Sequence, residues 1–129
     1  ERSEIAGCFQ GVPQNRVGFQ TDVMDACPKA IGIMMMIRAM PPAVIITDEV
    51  GKAEDADAIE EALNAGIKII TTAHSGDIED ASRRPVLSKL LEKRIFQRIL
   101  VLGNSLGVGT VEKIYDGYTM KNILMDPVR

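Results

Sequence analysis

Asp48 and Glu49 stand directly after the apolar, β-branched run Ala43-Val44-Ile45-Ile46-Thr47, and further on the segment "TTAHSG" carries His74, the only histidine of the chain. Adjacent carboxylates delivered by the end of a buried strand suit metal-assisted hydrolysis of a nucleotide. The first acid holds a magnesium ion through water, and the second orients or deprotonates the attacking water. A polar residue at the end of the neighbouring strand, such as Thr72 or His74, then senses the terminal phosphate. In open parallel sheets ligands bind outside the carboxyl ends of the strands, and both segments fall there. The alternative is that Asp48 and Glu49 only begin the next helix, whose positive end favours acids.

These residues need elements to position them. "DACPKAIGIMMMIRAMPP" predicts a helix from about 28 to 40, with Pro28 suited to a first turn, apolar residues at helical spacing and a Pro41-Pro42 stop. Because residues 31–37 are apolar almost all round, this helix is expected to be buried on more than one side. After the strand at 43–47, "KAEDADAIEEALNAG" predicts a second helix, with acids in its first turn, Ala56, Ile59, Ala62 and Leu63 on one face and Gly66 at its C-cap. "IKIITTAH" is another short strand of the kind buried in parallel sheets. Strand, helix, strand in so few residues is a parallel unit.

Outside that unit, residues 7–18 form a long glycine-bearing connection, of a length that is often functional. "DIEDASRRPVLSKLLEKRIF" predicts helix broken near Pro85. "QRILVL" and "TVEKIYD" read as strands, and Asp116-Gly117 as a hairpin turn into a last strand, "YTMKNILM". The expected fold is α/β, one domain over residues 1–129, with an antiparallel tail.

Composition narrows the function. A chain of 129 residues with 46% hydrophobic content and a net charge of -3 buries a real core. Its 15 basic residues nearly balance 18 acidic ones and aromatics are only 4%, so no nucleic-acid partner is expected. Cys8 and Cys27 are far apart, with no histidine nearby, which argues for thiols in a reducing compartment rather than a zinc site. No charge-free run approaches the roughly 18 residues that span a bilayer, so a cytoplasmic location is expected. The chain opens at Glu1 rather than Met, leaving room for an upstream segment.

The order of motifs resembles the stage III sporulation protein AA family, relatives of the type II and type IV secretion ATPases. The likeness runs from "ERSEIAGCFQGVPQNRVGFQTDVMDACPKAIGIMMMIRAMPPAVIITDEVG" through "DAIEEALNAGIKIITTAHSGDIED" to "RRPVLSKLLEKRIFQRILVL" and "GVGTVEKIYD". It implies a partial RecA-like P-loop nucleotide-hydrolase core, with ATP and Mg2+ as cofactors. It also implies a homo-oligomeric, hexameric ring in the mother cell, held at the membrane by channel proteins that link mother cell and forespore. Carried over by residue, Asp48 matches the Walker B aspartate that serves the metal, and Glu49 the catalytic glutamate beside it. His74 matches the histidine box, and the "ERSE" opening resembles the acidic box, with Glu4 the better match and Glu1 the weaker. Arg38 falls where the family carries an arginine before the Walker B strand, and with Thr72 it is the expected nucleotide contact; a cation in a helix's last turn is also favourable by itself. Two departures stand out: the wider secretion family usually has glycine where this chain has Asp48, and often an acid in place of Ala43.

A third departure bears on activity. A P-loop needs Gly-x-x-x-x-Gly-Lys followed by Ser or Thr, so that backbone N–H groups cradle the phosphates. Within the 129 residues nothing fits. "GNSLGVGT" has the glycines but no lysine after the last one, and a strand rather than a helix follows, so it reads as a turn. The chain is therefore expected to be the carboxy-terminal part of an ATPase, inactive alone, with an exposed sheet edge. Two other classes compete. A non-catalytic assembly domain would use the fold to join a ring or contact a channel. A receiver-like module would phosphorylate Asp48, but the lysine it needs at the end of the next strand is missing from "ILVLGNS".

Overall fold

The strand, helix, strand unit expected around the acid pair is present: β1 (Val44–Thr47) pairs in parallel with β2 (Lys68–Thr71), and the chain crosses between them as a helix over Ala53–Asn64. The computed structural model describes residues 3–129, so Glu1, named above with Glu4, lies outside the described residues. The chain forms two compact units, Glu1–Ala73 and His74–Arg129.

In the first unit α1 (Lys29–Ala39) starts after Pro28, as its fixed φ favours, and stops before the two prolines. The crossover helix, α2 (Ala53–Asn64), buries Ala56, Ala58, Ile59 and Ala62, the face expected from its spacing. Asp55 reaches back to the N–H groups of Gly51 and Lys52, satisfying donors that the helix start leaves open. The helix ends with Ala65 as C-cap, and Gly66, one residue later, takes φ +81, a conformation only glycine adopts without strain. α1 packs on α2, and its Gly32 and Ile33 are buried.

Two burial expectations fail here. α1 is not covered on more than one side: Ile31 and Met35 are 55% and 53% exposed, lining a shallow groove with Ala30, Met34 and Arg38. Nor are the strands buried on both faces. Ile45 is 4% exposed, whereas Val44, Ile46 and Ile70 on the opposite face are 41%, 59% and 58% exposed. The physical reason is the same: the helices of this unit cover one side only, and an apolar residue type cannot bury itself without a layer to receive it.

In the second unit Asp77 caps α3 (Ile78–Arg83) by accepting a 2.7 Å hydrogen bond from Asp80 N–H. Pro85 begins α4 (Pro85–Glu92) immediately after, so the expected break falls at Arg84. β3 (Arg98–Gly103) pairs antiparallel with β4 (Thr110–Asp116), with a bulge at Val101/Leu102. The glycine-rich segment is indeed the turn between them, held by Ser105 donating to Glu112 through both its N–H and its hydroxyl. The expected last strand does not form; only isolated bridges tie Asn122 to Tyr115 and Val128 to Val111. Asp116 is the cause. Its carboxylate accepts from the N–H groups of Tyr118 and Thr119, Met120 takes φ +56, and Asn122 Oδ1 occupies the N–H of Ile114, so the alternating residues make isolated bonds to β4 and no continuous ladder.

Candidate active site

β1 ends at Thr47 and α2 begins only at Ala53, with Glu54 and Asp55 as its first-turn acids. Asp48 and Glu49 are therefore loop residues, and helix-start electrostatics do not account for them. The loop is pinned from the neighbouring strand end. Val50, 4% exposed, donates its N–H to the Thr72 carbonyl at 2.9 Å, and the Thr71 hydroxyl reaches the Asp48 carbonyl at 3.4 Å. The parallel pairing is thus extended beyond the strands and fixes where the two acids leave the sheet.

Lys29, the first residue of α1, completes the arrangement. Its Nζ lies 3.2 Å from Asp48 Oδ1, with side chains only 9% and 20% exposed, and it also donates to the main-chain carbonyl of Glu49. Glu4 bears on the Asp48 carboxyl from near the start of the chain. Ser3 sets the chain at that point, donating its hydroxyl to Asp25 at 2.8 Å and accepting from Cys8 N–H. Burial by itself raises the Asp48 carboxyl. The hydrogen bond and the charge of Lys29 lead the effects that outweigh it and hold Asp48 below its ordinary range.

Glu4, Asp48 and Glu49, picked out from the sequence, thus lie together in the first unit, with Thr72 supporting them through its carbonyl while its side chain is exposed. Arg38 is not among them. It sits at the opposite end of α1 from Lys29, roughly 13 Å along the axis at 1.5 Å per residue, beside the groove of Ala30, Ile31, Met34 and Met35. His74 is exposed and belongs to the second unit. Its neighbours Ser75 and Gly76 are tied to Asp80 by hydrogen bonds of 2.7 and 3.1 Å. Cys8 and Cys27 are free, half-buried thiols.

Lys29 escaped the sequence reading, although one signal was there. A cation at the first position of a helix faces the positive end of the dipole. Its presence in "CPKAIG" asks for a carboxylate elsewhere in the chain.

Comparison with known proteins bears on this arrangement. The family described as "Sporulation stage III, protein AA" matches residues 1–121. "Stage III sporulation protein AA" of Bacillus subtilis (strain 168) is 55% identical over 116 residues, covering 90% of this chain and 38% of that protein. The chain thus spans less than two-fifths of the length of that relative. No solved structure matches it.

Proposed function

The chain belongs to the stage III sporulation protein AA family, and from that premise we propose that it is the acid-bearing part of an ATPase related to the secretion ATPases, with a RecA-like core. One observation carries this reading: Asp48 and Glu49 leave the carboxyl end of a parallel strand and meet Lys29 and Glu4 from distant parts of the chain. A carboxylate paired with a lysine from a distant element, outside parallel strand ends, is what metal-nucleotide chemistry uses.

The donor set fits magnesium in a limited sense. Among the described residues no group of three or more His, Cys, Asp or Glu could hold a metal. Magnesium needs no such cage, because it keeps several waters and takes one or two carboxylates beside the phosphates. Asp48, with Glu4 beside it, supplies that set. Bound with ATP, the ion would neutralise charge on the transferred phosphoryl group. Asp48 then serves as an ionised acceptor held in place by Lys29. Glu49 orients the attacking water and takes its proton. Glu4 and His74 are assigned to the hydrolytic step, and Thr72 and Arg38 to the nucleotide, by resemblance to the secretion ATPases.

The phosphate cradle is not within these 129 residues, and we assign it to other polypeptide of the intact protein. That protein would work as a homo-oligomeric, hexameric ring on the cytoplasmic face in the mother cell, driving a channel to the forespore through contacts with membrane proteins. Among the described residues no helix is long and apolar enough to cross a membrane, so attachment through partners suits this part of the chain.

The test is Glu49→Gln in the intact protein. ATP hydrolysis is expected to fall about 10²- to 10⁴-fold while ATP still binds. Unchanged hydrolysis overturns the reading. The exposed apolar residues Ile31, Met35, Val44, Ile46 and Ile70 favour a second reading, a non-catalytic assembly domain. There, Glu49→Gln leaves spore formation intact and Ile46→Asp abolishes it.

A further inference from the structure

We propose that Lys29 is a positioning residue for the Asp48–Glu49 pair. One ammonium holds the carboxylate of the first acid, with Nζ 3.2 Å from Oδ1, and the main-chain carbonyl that follows the second. The second contact is the informative one. The peptide linking Glu49 to Val50 is gripped on both sides: its carbonyl accepts from Lys29, and its N–H donates to the Thr72 carbonyl. That peptide sets the backbone angle from which the Glu49 side chain departs. A lysine serving only as a counter-ion would need the carboxylate alone.

Its placement argues the same way. Lysine is almost never buried unless paired, yet this side chain is 9% exposed. It opens α1, where the helix dipole opposes a cation, so helix formation does not explain it. Its stem reaches across 20 positions of sequence to the Glu49 carbonyl. A site whose second acid must face a water molecule needs such an anchor, since small misplacements of a reacting group cost large factors in rate.

The activity arm of the test rests on the ATPase reading, and a second arm does not. In the intact protein, Lys29→Met keeps most of the stem and removes the charge. Its kcat for ATP is expected to fall about 10- to 100-fold, as supporting residues commonly do, with KM changing less than about threefold. Lys29→Arg should recover part of kcat. Without nucleotide, hydrogen exchange of residues 48–52 should quicken about tenfold in Lys29→Met while α2 keeps its protection. Exchange that stays unchanged, or that rises equally through α1 and α2, overturns the proposal. So does an unaltered kcat in Lys29→Met when Glu49→Gln abolishes hydrolysis. If the wild type hydrolyses nothing but residues 48–52 respond as expected, the ATPase reading fails and the positioning role stands.

Discussion

Asp48 in the first unit and the acids of the second are held in opposite ways. In the second, Asp80 is bound by Ser75, Gly76 and Arg84, within five positions of it. Asp116 is bound by Tyr118 and Thr119 next door, and by Arg98 across the hairpin. Glu112 accepts from Ser105 across the same turn. The Ser75 hydroxyl, the Thr119 amide and the Ser105 amide are the leading causes that hold Asp80, Asp116 and Glu112 below the ordinary carboxylate range. Each of these acids fastens the turn or hairpin in which it lies. Asp48, in the first unit, answers to Lys29 at the start of α1 and to Glu4 near the start of the chain. No local turn needs that convergence. A lowered carboxyl therefore signals a site only when its partners come from far along the sequence.

The sharpest way to break this contrast is chemical. Asp48→Asn in the intact protein should lower ATP hydrolysis by about two orders of magnitude or more while the protein stays folded, its melting temperature lowered because the Lys29 ammonium loses its partner; a loss of folding instead would make Asp48 structural like its counterparts. Next in size is Gly117→Ala. A methyl there would lie 1.6 Å from the Phe96 carbonyl oxygen, so unfolding titrations should show a loss of about 1–3 kcal/mol or more. Asp77→Ala removes the α3 cap and should cost about 1 kcal/mol in the same titration. The smallest effect concerns pH. Because Asp48 is depressed when folded, its contribution is present above the ordinary carboxylate value of about 3.9 and disappears as pH falls through the lower folded value. Urea titrations of Lys29→Met should thus show a stability that varies less with acid than the wild type does.

Local order was legible wherever its causes are local. Periodicity, prolines and β-branched runs announced α1, β1, α2, the break at Pro85 and β4 nearly to the residue, and β2 with an end three residues too late, since the strand stops at Thr71 rather than His74. The strand after Asp116 was misread because alternation in "YTMKNILM" says nothing of the carboxylate that captures the next two amides. Burial of Ile31, Met35, Val44, Ile46 and Ile70 was overestimated because hydropathy reports a preference, and the covering layer is a property of the packing. For the site, Asp48, Glu49 and Glu4 stood out by residue type and resemblance. Lys29 did not, since its partner lies far along the chain and a single basic residue looks like any other.

The open side of the parallel sheet has a calorimetric consequence. Heat capacity rises on unfolding because apolar surface becomes hydrated, but Val44, Ile46 and Ile70 are about half in water before the chain opens. Their share of the increment is already spent, so the increment should fall short of the usual 12–15 or so cal/mol/K per residue. The stability curve then becomes broader and shallower, with cold and heat acting on this chain more gently than on a domain closed on both faces.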